Sequence, residues 1–413
     1  MVPPTFPSRA LPAQRTAVFV AWAVLRLACP AAAQPPGLSG YYLNVLTRVE
    51  GSLPGTTGTS DVQRLRVMWN GSAGPLGIDA AYEHTLTLRQ AGAAPGARLF
   101  TAAGTESGGD WLPLDGELDS DERMVWRHRV DRFSVRIDLG ADADLIVGRQ
   151  PVSWATTLFL TPADPFSPFD PKEPFREYRA GIDAARLRVY RGAFTQFEVV
   201  LRPARFGDGA GERETFTLLG RVSGNHRGWD LGAWGGAVHG TFGTAAFLSG
   251  SAGMWALRAE VAAREDGSSV ALRGAVGMDR TFTMVGRDLY LAVEVQRDGL
   301  GAASPAGLLV AGTSLAFSQG EMQVLGREVG AVQLSYTLDP LVSASGLVLG
   351  NLRDGSFIVS PGVSWSASES VTARAGAYFG VGEGVAISGT ELRLGSEFGG
   401  LPRVVFGSVN WFF

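Results

Sequence analysis

The end of the chain alternates between two kinds of side chain, and this alternation constrains the fold more than any other feature of the sequence. Over the last eleven residues, Arg403 to Phe413, every second residue counted back from Phe413 to Val405 is uncharged and mostly apolar. The positions between them include Ser408 and Asn410. Because successive side chains of a strand point to opposite faces, a period of two predicts a β-strand whose faces meet different surroundings.

The same alternation recurs along most of the chain, with clear examples in segments 132–139, 255–261, 289–296 and 332–338. A tilted strand needs roughly ten residues to cross a bilayer, which is close to the spacing of these segments. Tight-turn signals separate the segments: Gly140-Ala-Asp, Arg191-Gly192, Gly224 to Gly228, Glu265-Asp-Gly267 and Arg353-Asp-Gly355. A soluble β-sandwich would show a similar pattern, so other features must separate the two architectures.

Composition favours one large closed sheet over several soluble domains. The 413 residues include 55 glycines, and only 18% of the residues are charged. A soluble domain averages about 25% charged residues and about 7% glycine. The net charge of −4 and the scattered arginines give no basic face, so no nucleic-acid partner is expected.

The first 33 residues have the organisation of an export signal. Arg9 and Arg15 precede an apolar run from Ala17 to Leu25, and small residues follow at Ala31 to Ala33. The run is shorter than the 18 or so apolar residues that a membrane-spanning helix needs. We therefore predict a cleaved secretory signal peptide at 1–33 and a single domain at 34–413. The one cysteine, at position 29, falls within the predicted signal, so no disulfide is expected.

These features together predict an all-β protein: a transmembrane antiparallel β-barrel of about 18 strands, within a range of 16 to 20. The predicted location is the cell outer membrane, crossed many times. With both ends on the periplasmic side, the connections 51–60, 91–121 and 151–179 become extracellular loops. The stretch 70–75 becomes a periplasmic turn.

Two stretches resemble known outer-membrane proteins. The terminal strand, with Trp411 and Phe413, resembles the final strand of Gram-negative outer-membrane barrels, which implies recognition by the barrel-assembly machinery. A second stretch contains Gly148-Arg-Gln150, Trp154, Asp164-Pro-Phe166 and Gly181-Ile-Asp183. It resembles a group of porin-like barrels that includes the alginate-export type. The chain departs from that pattern at residue 155, an alanine where the group has glycine.

The porin resemblance implies that the third extracellular loop folds into the lumen and narrows it. Five prolines between positions 162 and 174 stiffen this loop. Its charges would form the channel constriction: Arg149, Asp164, Asp170, Lys172, Glu173, Arg176, Glu177 and Arg179. The alternative is an external loop whose charges are merely solvated.

The polar faces of the predicted strands carry further charges. An arginine at mid-depth on the lipid face costs about 2 to 4 kcal/mol, so the lumen is the favoured side. The expected lumen-facing set is Arg132, Arg136, Arg186, Arg188, Arg258, Glu260 and Glu294, together with Arg64, Arg66, Arg273, Arg393, Asp138, Glu198, Glu391 and Glu397. These residues either favour anions in the channel or brace the wall as ion pairs.

The sequence therefore predicts a porin-like channel for passive diffusion of small polar or anionic solutes. Its expected surroundings are outer-membrane lipid, the barrel-assembly machinery and small solutes, as a monomer or a homotrimer. No enzyme activity, cofactor or metal is predicted, because the four widely spaced histidines belong to no catalytic or metal motif that we recognise. Two alternatives stay open: a plugged structural or adhesive barrel with binding loops, and an outer-membrane hydrolase.

Overall fold

The computed structural model describes residues 37–51, 57–90, 109–166, 178–207, 212–388 and 391–413. The barrel lies within the compact unit Ser39–Phe413. The predicted signal peptide lies outside the described residues and stays a prediction.

The described residues form 21 β-strands, numbered in chain order. They are β1 (Leu38–Glu50), β2 (Gly58–Ala73), β3 (Leu76–Arg89), β4 (Asp115–Ser120), β5 (Met124–Asp138), β6 (Ala143–Gln150), β7 (Ile182–Arg191), β8 (Thr195–Gly207), β9 (Glu212–His226), β10 (Trp229–Val238), β11 (Thr241–Ala252), β12 (Trp255–Asp266), β13 (Ser269–Met284), β14 (Arg287–Asp298), β15 (Glu328–Asp339), β16 (Val342–Asn351), β17 (Phe357–Ser368), β18 (Val371–Val381), β19 (Val385–Ser388), β20 (Glu391–Leu394) and β21 (Arg403–Phe412).

Antiparallel neighbours join these strands into a closed barrel. In the described ranges, nineteen strands share one sheet, and β1 pairs with both β2 and β21, which closes it. Strand β4 pairs with the first half of β5, and β6 pairs with the second half. Without β4 the wall has 18 strands, which confirms the predicted number. At the seam, the Gly40 amide donates to the Phe413 carbonyl at 2.8 Å, and the Phe413 amide donates back at 3.0 Å.

The long connections lie at one end of the barrel, and the described connections at the other end are all short. At the end that we call the turn side, successive strands are joined by tight turns such as 74–75 and 139–142. The turns at Arg227-Gly228 and Val285-Gly286 have positive φ at both central residues, as a two-residue type I′ hairpin requires. The longer connections, including 151–181, 299–327 and 382–402, lie at the other end, the loop side. This arrangement agrees with the sequence prediction, in which long loops and short turns lie on opposite sides of the membrane.

The outer face of the wall is apolar. Val276 on β13 is opposite Val295 on β14, and Val293 on β14 is opposite Val332 on β15. Val276 is 60% exposed and Val332 is 38% exposed, so these side chains point away from the interior. Large apolar side chains left in contact with the surroundings are typical of a wall that meets lipid.

Helical structure in the described part of the chain is confined to the connection 299–327. It comprises a 3₁₀ turn (Pro305–Gly307) and two short helices, α1 (Leu308–Gly312) and α2 (Leu315–Ser318). No helix in the described ranges is long and apolar enough to cross a membrane.

Strands β19 and β20 form a separate hairpin inside the connection 382–402. Glu391 and Arg393 belong to β20, and Glu397 follows it, so these three residues, predicted as lumen-facing, lie in a loop-side connection and not on a wall strand. The alternation near position 391 is real, but it belongs to a loop hairpin.

Candidate functional site

The third long connection turns into the barrel directly after β6. Its first half, residues 151–166, has no ladder partner, so its backbone amides need other acceptors. Glu260 on β12 supplies one, accepting from the amides of Thr156 at 3.0 Å, Thr157 at 3.3 Å and Ala163 at 3.0 Å. A single carboxylate can accept several hydrogen bonds at once. Glu260 therefore holds both ends of one loop bend.

A second wall carboxylate holds the tip of the same bend. Glu294 on β14 accepts from the amides of Leu158, Phe159 at 2.8 Å and Leu160 at 3.1 Å. Strand β14 is seven wall strands away from β7, where the connection ends. The loop thus reaches across the interior, which confirms the predicted inward fold.

Two tryptophans hold the base of the loop against the wall between β7 and β12. The Trp154 indole donates to Glu198 at 2.8 Å, and the Trp234 indole donates to the Ala163 carbonyl at 3.0 Å. Phe166 packs edge-on against Trp154, with ring centroids 4.8 Å apart. All of these side chains are buried. Hydrogen bonds and apolar packing therefore fix the same segment.

The connection 299–327 meets the third loop inside the barrel. The Gln323 side chain accepts from the Thr161 amide at 2.7 Å and donates to the Phe159 carbonyl at 2.9 Å. This connection is itself held to the wall by Glu321, which receives a two-pronged bond from Arg264 at 2.9 and 3.0 Å. Fork-to-fork Arg–carboxylate pairs are strong and directional.

The connection 382–402 completes the interlocked set. Glu397 accepts from the amides of Leu325 at 2.6 Å and Gly326 at 3.0 Å, and from the Asn351 side chain at 2.9 Å. Phe398 is buried in a cluster that also contains Leu160 of the third loop. Three loop-side connections thus bind one another and the inner wall.

The interior towards the turn side is open and basic. A cavity of about 670 Å³ lies beside β2, β3, β5, β6 and β7, and its lining includes Arg132, Arg136, Arg186 and Arg188. Asp79 is the one carboxylate among the lining residues. The sequence predicted all four arginines as lumen-facing, and the structure places them around this one cavity.

Each of these arginines also has a carboxylate neighbour. Arg186 binds Glu198 at 2.8 Å and Arg188 binds Asp144 at 2.8 Å, with both carboxylates nearly buried. Arg136 lies 3.2 Å from Asp138, and nearly half of its side chain is exposed. The arginines therefore brace the wall while their remaining donors point towards water.

A compact Arg–Tyr cluster lies beside the cavity, on the inner wall towards the loop side. Arg66 binds Asp131 at 2.6 Å, and the guanidinium carbon of Arg66 lies 5.1 Å from the centre of the Tyr178 ring. Arg132 also approaches Tyr178, at 5.7 Å, and the Tyr41 ring stacks on the Tyr178 ring.

Sequence reasoning missed Asp131 and Tyr178. Asp131 occupies a bulge opposite Ala81–Tyr82, which breaks the strict alternation used to assign faces.

The predicted constriction residues have different environments. Arg149 is fully buried, paired with Asp183 at 2.8 Å and with Asp110 at 3.3 Å, so it faces no open passage. Asp164 is also buried and accepts from Ser153 at 2.7 Å and from Arg179 at 3.1 Å. These three predicted charges thus serve as internal pairs, with Arg179 alone partly exposed. Asp170, Lys172, Glu173, Arg176 and Glu177 lie outside the described residues.

Three further predicted lumen charges also have partners. Arg258 pairs with Asp279. Glu260 and Glu294 face inward as expected, but both are buried under loop amides. They are anchors for the loop and do not present free charge to a channel, a role that alternation alone could not reveal.

The predicted assembly residues lie on the outer side of the seam. Trp411 and Phe413 share a face with Val405 and Val409, which are 60% and 48% exposed. Recognition by the assembly machinery stays a prediction.

One histidine outside the strands has a displaced pKa. His239 lies in the turn between β10 and β11, buried edge-on against Phe206. Burial, with the nearby charges of Arg202 and Arg264, lowers the pKa of His239 to about 3. Its ring is therefore neutral at physiological pH. Among the residues described, no cluster of metal-ligating side chains occurs.

Comparison with known proteins gives likeness of structure without likeness of sequence. No protein-family model matches the chain, and no curated protein sequence matches it. The solved structure of OccAB1 from Acinetobacter baumannii matches with a TM-score of 0.52 at 8% identity, over 91% of this chain and 96% of that one. A BenF-like porin from Pseudomonas fluorescens matches at 0.51 and 12% identity, over 91% and 98%. OpdK from Pseudomonas aeruginosa, solved with vanillate, matches at 0.52 and 10% identity, over 92% and 98%. The porin-like barrel fold that the sequence predicted is confirmed.

Proposed function

We propose that this chain is an outer-membrane channel through which small polar solutes, above all anions, diffuse passively. The turn side would face the periplasm and the loop side the cell exterior, as short turns and long loops are arranged in barrels of this class. The observation that carries the proposal is the water-accessible cavity with four arginines and one carboxylate in its lining.

The charge balance of the cavity supports a preference for anions. Asp144 and Glu198 neutralise Arg188 and Arg186 in part, but these carboxylates are nearly buried, whereas the arginine side chains keep about a fifth of their surface. A solute in the cavity therefore meets guanidinium donors before it meets carboxylate oxygens. Rings of one charge sign select ions in pores by this means. The small solutes themselves would be bound weakly enough to leave; the structural neighbour OpdK was solved with one small molecule, vanillate.

The constriction belongs to the same proposal. The interlocked loops narrow the loop-side half, and the charges at 170–177 would complete a narrow passage. Removing residues 166–175 should then raise single-channel conductance several-fold. Unchanged conductance would make this segment an external loop.

Charge selectivity tests the anion preference directly. In planar bilayers with a salt gradient, the reversal potential of the intact protein should indicate anion selectivity. Arg136→Gln should shift it towards zero, because Arg136 lines the cavity and contributes to no loop anchor. Arg280→Gln is the matched control, since Arg280 lies on the outer face against Trp255 and Phe282. Cation selectivity of the unmodified protein would refute the preference.

A second candidate is a plugged structural or adhesive barrel. It is favoured by one observation, the hydrogen bonds that join three connections to one another and to the wall inside the barrel. The same bilayer measurement separates the two candidates. A correctly folded barrel that carries no current, before and after removal of residues 166–175, would favour the plugged barrel.

A further inference from the structure

An apolar groove of about 460 Å³ crosses the outer face of the wall from β10 to β14. Leu248, Val276 and Met278 line it and are exposed, so the groove opens away from the lumen. Arg258 and Glu294 also border it, but their charged groups bind partners on the inner face. The groove therefore offers contacts to hydrocarbon and hardly any to polar groups.

Small residues between larger ones create the groove. The pairing register places Ala259 between Leu248 and Val276, so a methyl group forms the floor between two longer side chains. One row nearer the turn side, Gly250 has no side chain, and the Trp229 ring lies directly over its backbone. The groove is thus fixed by the sequence of the wall strands.

A positively charged side chain lies at the turn-side end of the groove. Arg280 follows Met278 on the same face of β13, roughly 7 Å further along the strand. Its guanidinium carbon lies 5.7 Å from the centre of the Trp255 ring and 4.6 Å from that of Phe282. The guanidinium donates to the Met254 sulfur at 3.0 Å, which is a weak acceptor, and its buried Nε has no acceptor among the described residues. An anionic oxygen would be a much stronger partner for this group.

The charge and the groove lie at different depths of the membrane. Trp255 is the first residue of β12, and Arg280 lies near the turn-side end of β13. Aromatic side chains at strand ends mark the boundary between headgroups and hydrocarbon in barrels of this class. The groove runs from this boundary towards the middle of the strands, so the guanidinium lies at headgroup depth and the groove at acyl-chain depth.

We propose that Arg280 and the groove bind one phospholipid molecule. The guanidinium would donate to the phosphate oxygens, a geometry that arginine matches well, and one acyl chain would lie over Ala259. A phospholipid carries the anion and the hydrocarbon at the spacing that the site presents. The site lies on the outer face, so it is independent of the solute that passes through the lumen.

Native mass spectrometry of the full chain, released from detergent micelles, tests the site. With added phosphatidylglycerol, the barrel should retain one lipid molecule. Two probes separate the parts of the ligand: diacylglycerol with the same acyl chains lacks the phosphate, and inorganic phosphate lacks the chains. Both should be retained far less than phosphatidylglycerol. Equal retention of either probe would overturn the proposal, as would a barrel that retains no phosphatidylglycerol.

The contribution of the guanidinium is measured with Arg280→Gln. The loss of a charge-assisted hydrogen bond should weaken phosphatidylglycerol binding about tenfold. Arg403→Gln is the matched control, because Arg403 is an exposed arginine at the start of β21, at the loop-side end of the outer face. Heat-modifiable mobility on gels shows that each variant is folded. Binding by Arg280→Gln as tight as that of the unmodified protein would refute the phosphate site.

The contribution of the groove is measured with Ala259→Leu, which fills the floor. Phosphatidylglycerol binding should weaken about threefold, because the acyl chain loses apolar contacts. Ala344→Leu is the matched control, since Ala344 is half-buried like Ala259 and pairs with Tyr336 on the outer face of β15 and β16. Unchanged binding by Ala259→Leu would contradict the acyl-chain groove.

Discussion

The two halves of the barrel interior are enclosed by the same strands but hold different contents. Towards the loop side, backbone amides of three connections fill the space and bind wall carboxylates, with Glu260 and Glu294 accepting from six amides between them. Towards the turn side, tight hairpins leave a cavity whose walls carry arginines. Carboxylates thus position the loops in one half, while guanidinium groups stay available to solutes in the other.

Removing the Trp154 side chain, which packs the base of the third loop against the wall, should have the largest effect on the loop-side half. Trp154 is buried, contacts Phe166 and donates to Glu198. Trp154→Ala leaves a cavity and removes one of the hydrogen-bond donors to Glu198, so we expect a loss of about 3 to 5 kcal/mol in stability. The measurement is urea-induced unfolding in lipid vesicles. Trp365→Ala, which removes an indole from the exposed outer face, is the control and should lose less. Equal losses would mean that the loop side is no better packed than the lipid face.

Weakening the Glu294 anchor of the loop tip should have the second-largest effect. A glutamine at position 294 offers one acceptor oxygen to three amides and no charge, so Glu294→Gln should cost about 2 to 3 kcal/mol. The loop tip should loosen, and conductance should rise and become noisier. Single-channel recording provides the measurement, with Glu265→Gln on the outer edge of β12 as control. Identical traces from wild type and Glu294→Gln would show that this anchor does not control the passage.

Acid should lower the stability of the loop-side half by protonating His239. The folded-state pKa of His239 is about 3, below its unfolded value of about 6.5, so folding favours the neutral ring. This contribution is complete above pH 6.5 and is lost as the pH falls from about 6.5 towards 3. Unfolding midpoints between pH 7 and pH 4 should therefore fall less in His239→Asn, where asparagine also tolerates the positive φ of this residue. Parallel pH profiles would assign the acid sensitivity to other groups.

A turn-side change should have the smallest effect and leave conduction untouched. Val285 adopts φ of 53° in its hairpin, a conformation unfavourable for a β-branched residue. Val285→Asn should stabilise the barrel by about 1 kcal/mol. Unfolding in urea measures the gain, and unchanged conductance and reversal potential would confirm that the turn is separate from the passage. An altered reversal potential would contradict that separation.

The sequence predicted the wall better than its contents. Period-two alternation and turn residues follow from local geometry, so the strand number and the inward arginines Arg132, Arg136, Arg186 and Arg188 could be derived. The anchors could not, because Glu260 and Glu294 differ from free lumen charges only through amides about a hundred residues away in sequence. Long-range pairs of this kind leave no periodic signal. The misassigned strand near Arg393 has a related cause, since a loop hairpin and a wall strand share the same local pattern.

The anchoring of the third loop has a consequence for how such a barrel could be retuned. Glu260 and Glu294 bind main-chain amides, and every residue other than proline presents the same amide whatever its side chain. The half-buried side chain of Leu158 at the loop tip could therefore be exchanged while the backbone keeps its course, whereas Leu160 is buried and packed. The position of the loop backbone and the solute preference of the passage then depend on different groups. One scaffold could serve different solutes through substitutions at the tip, with no compensating change in the wall.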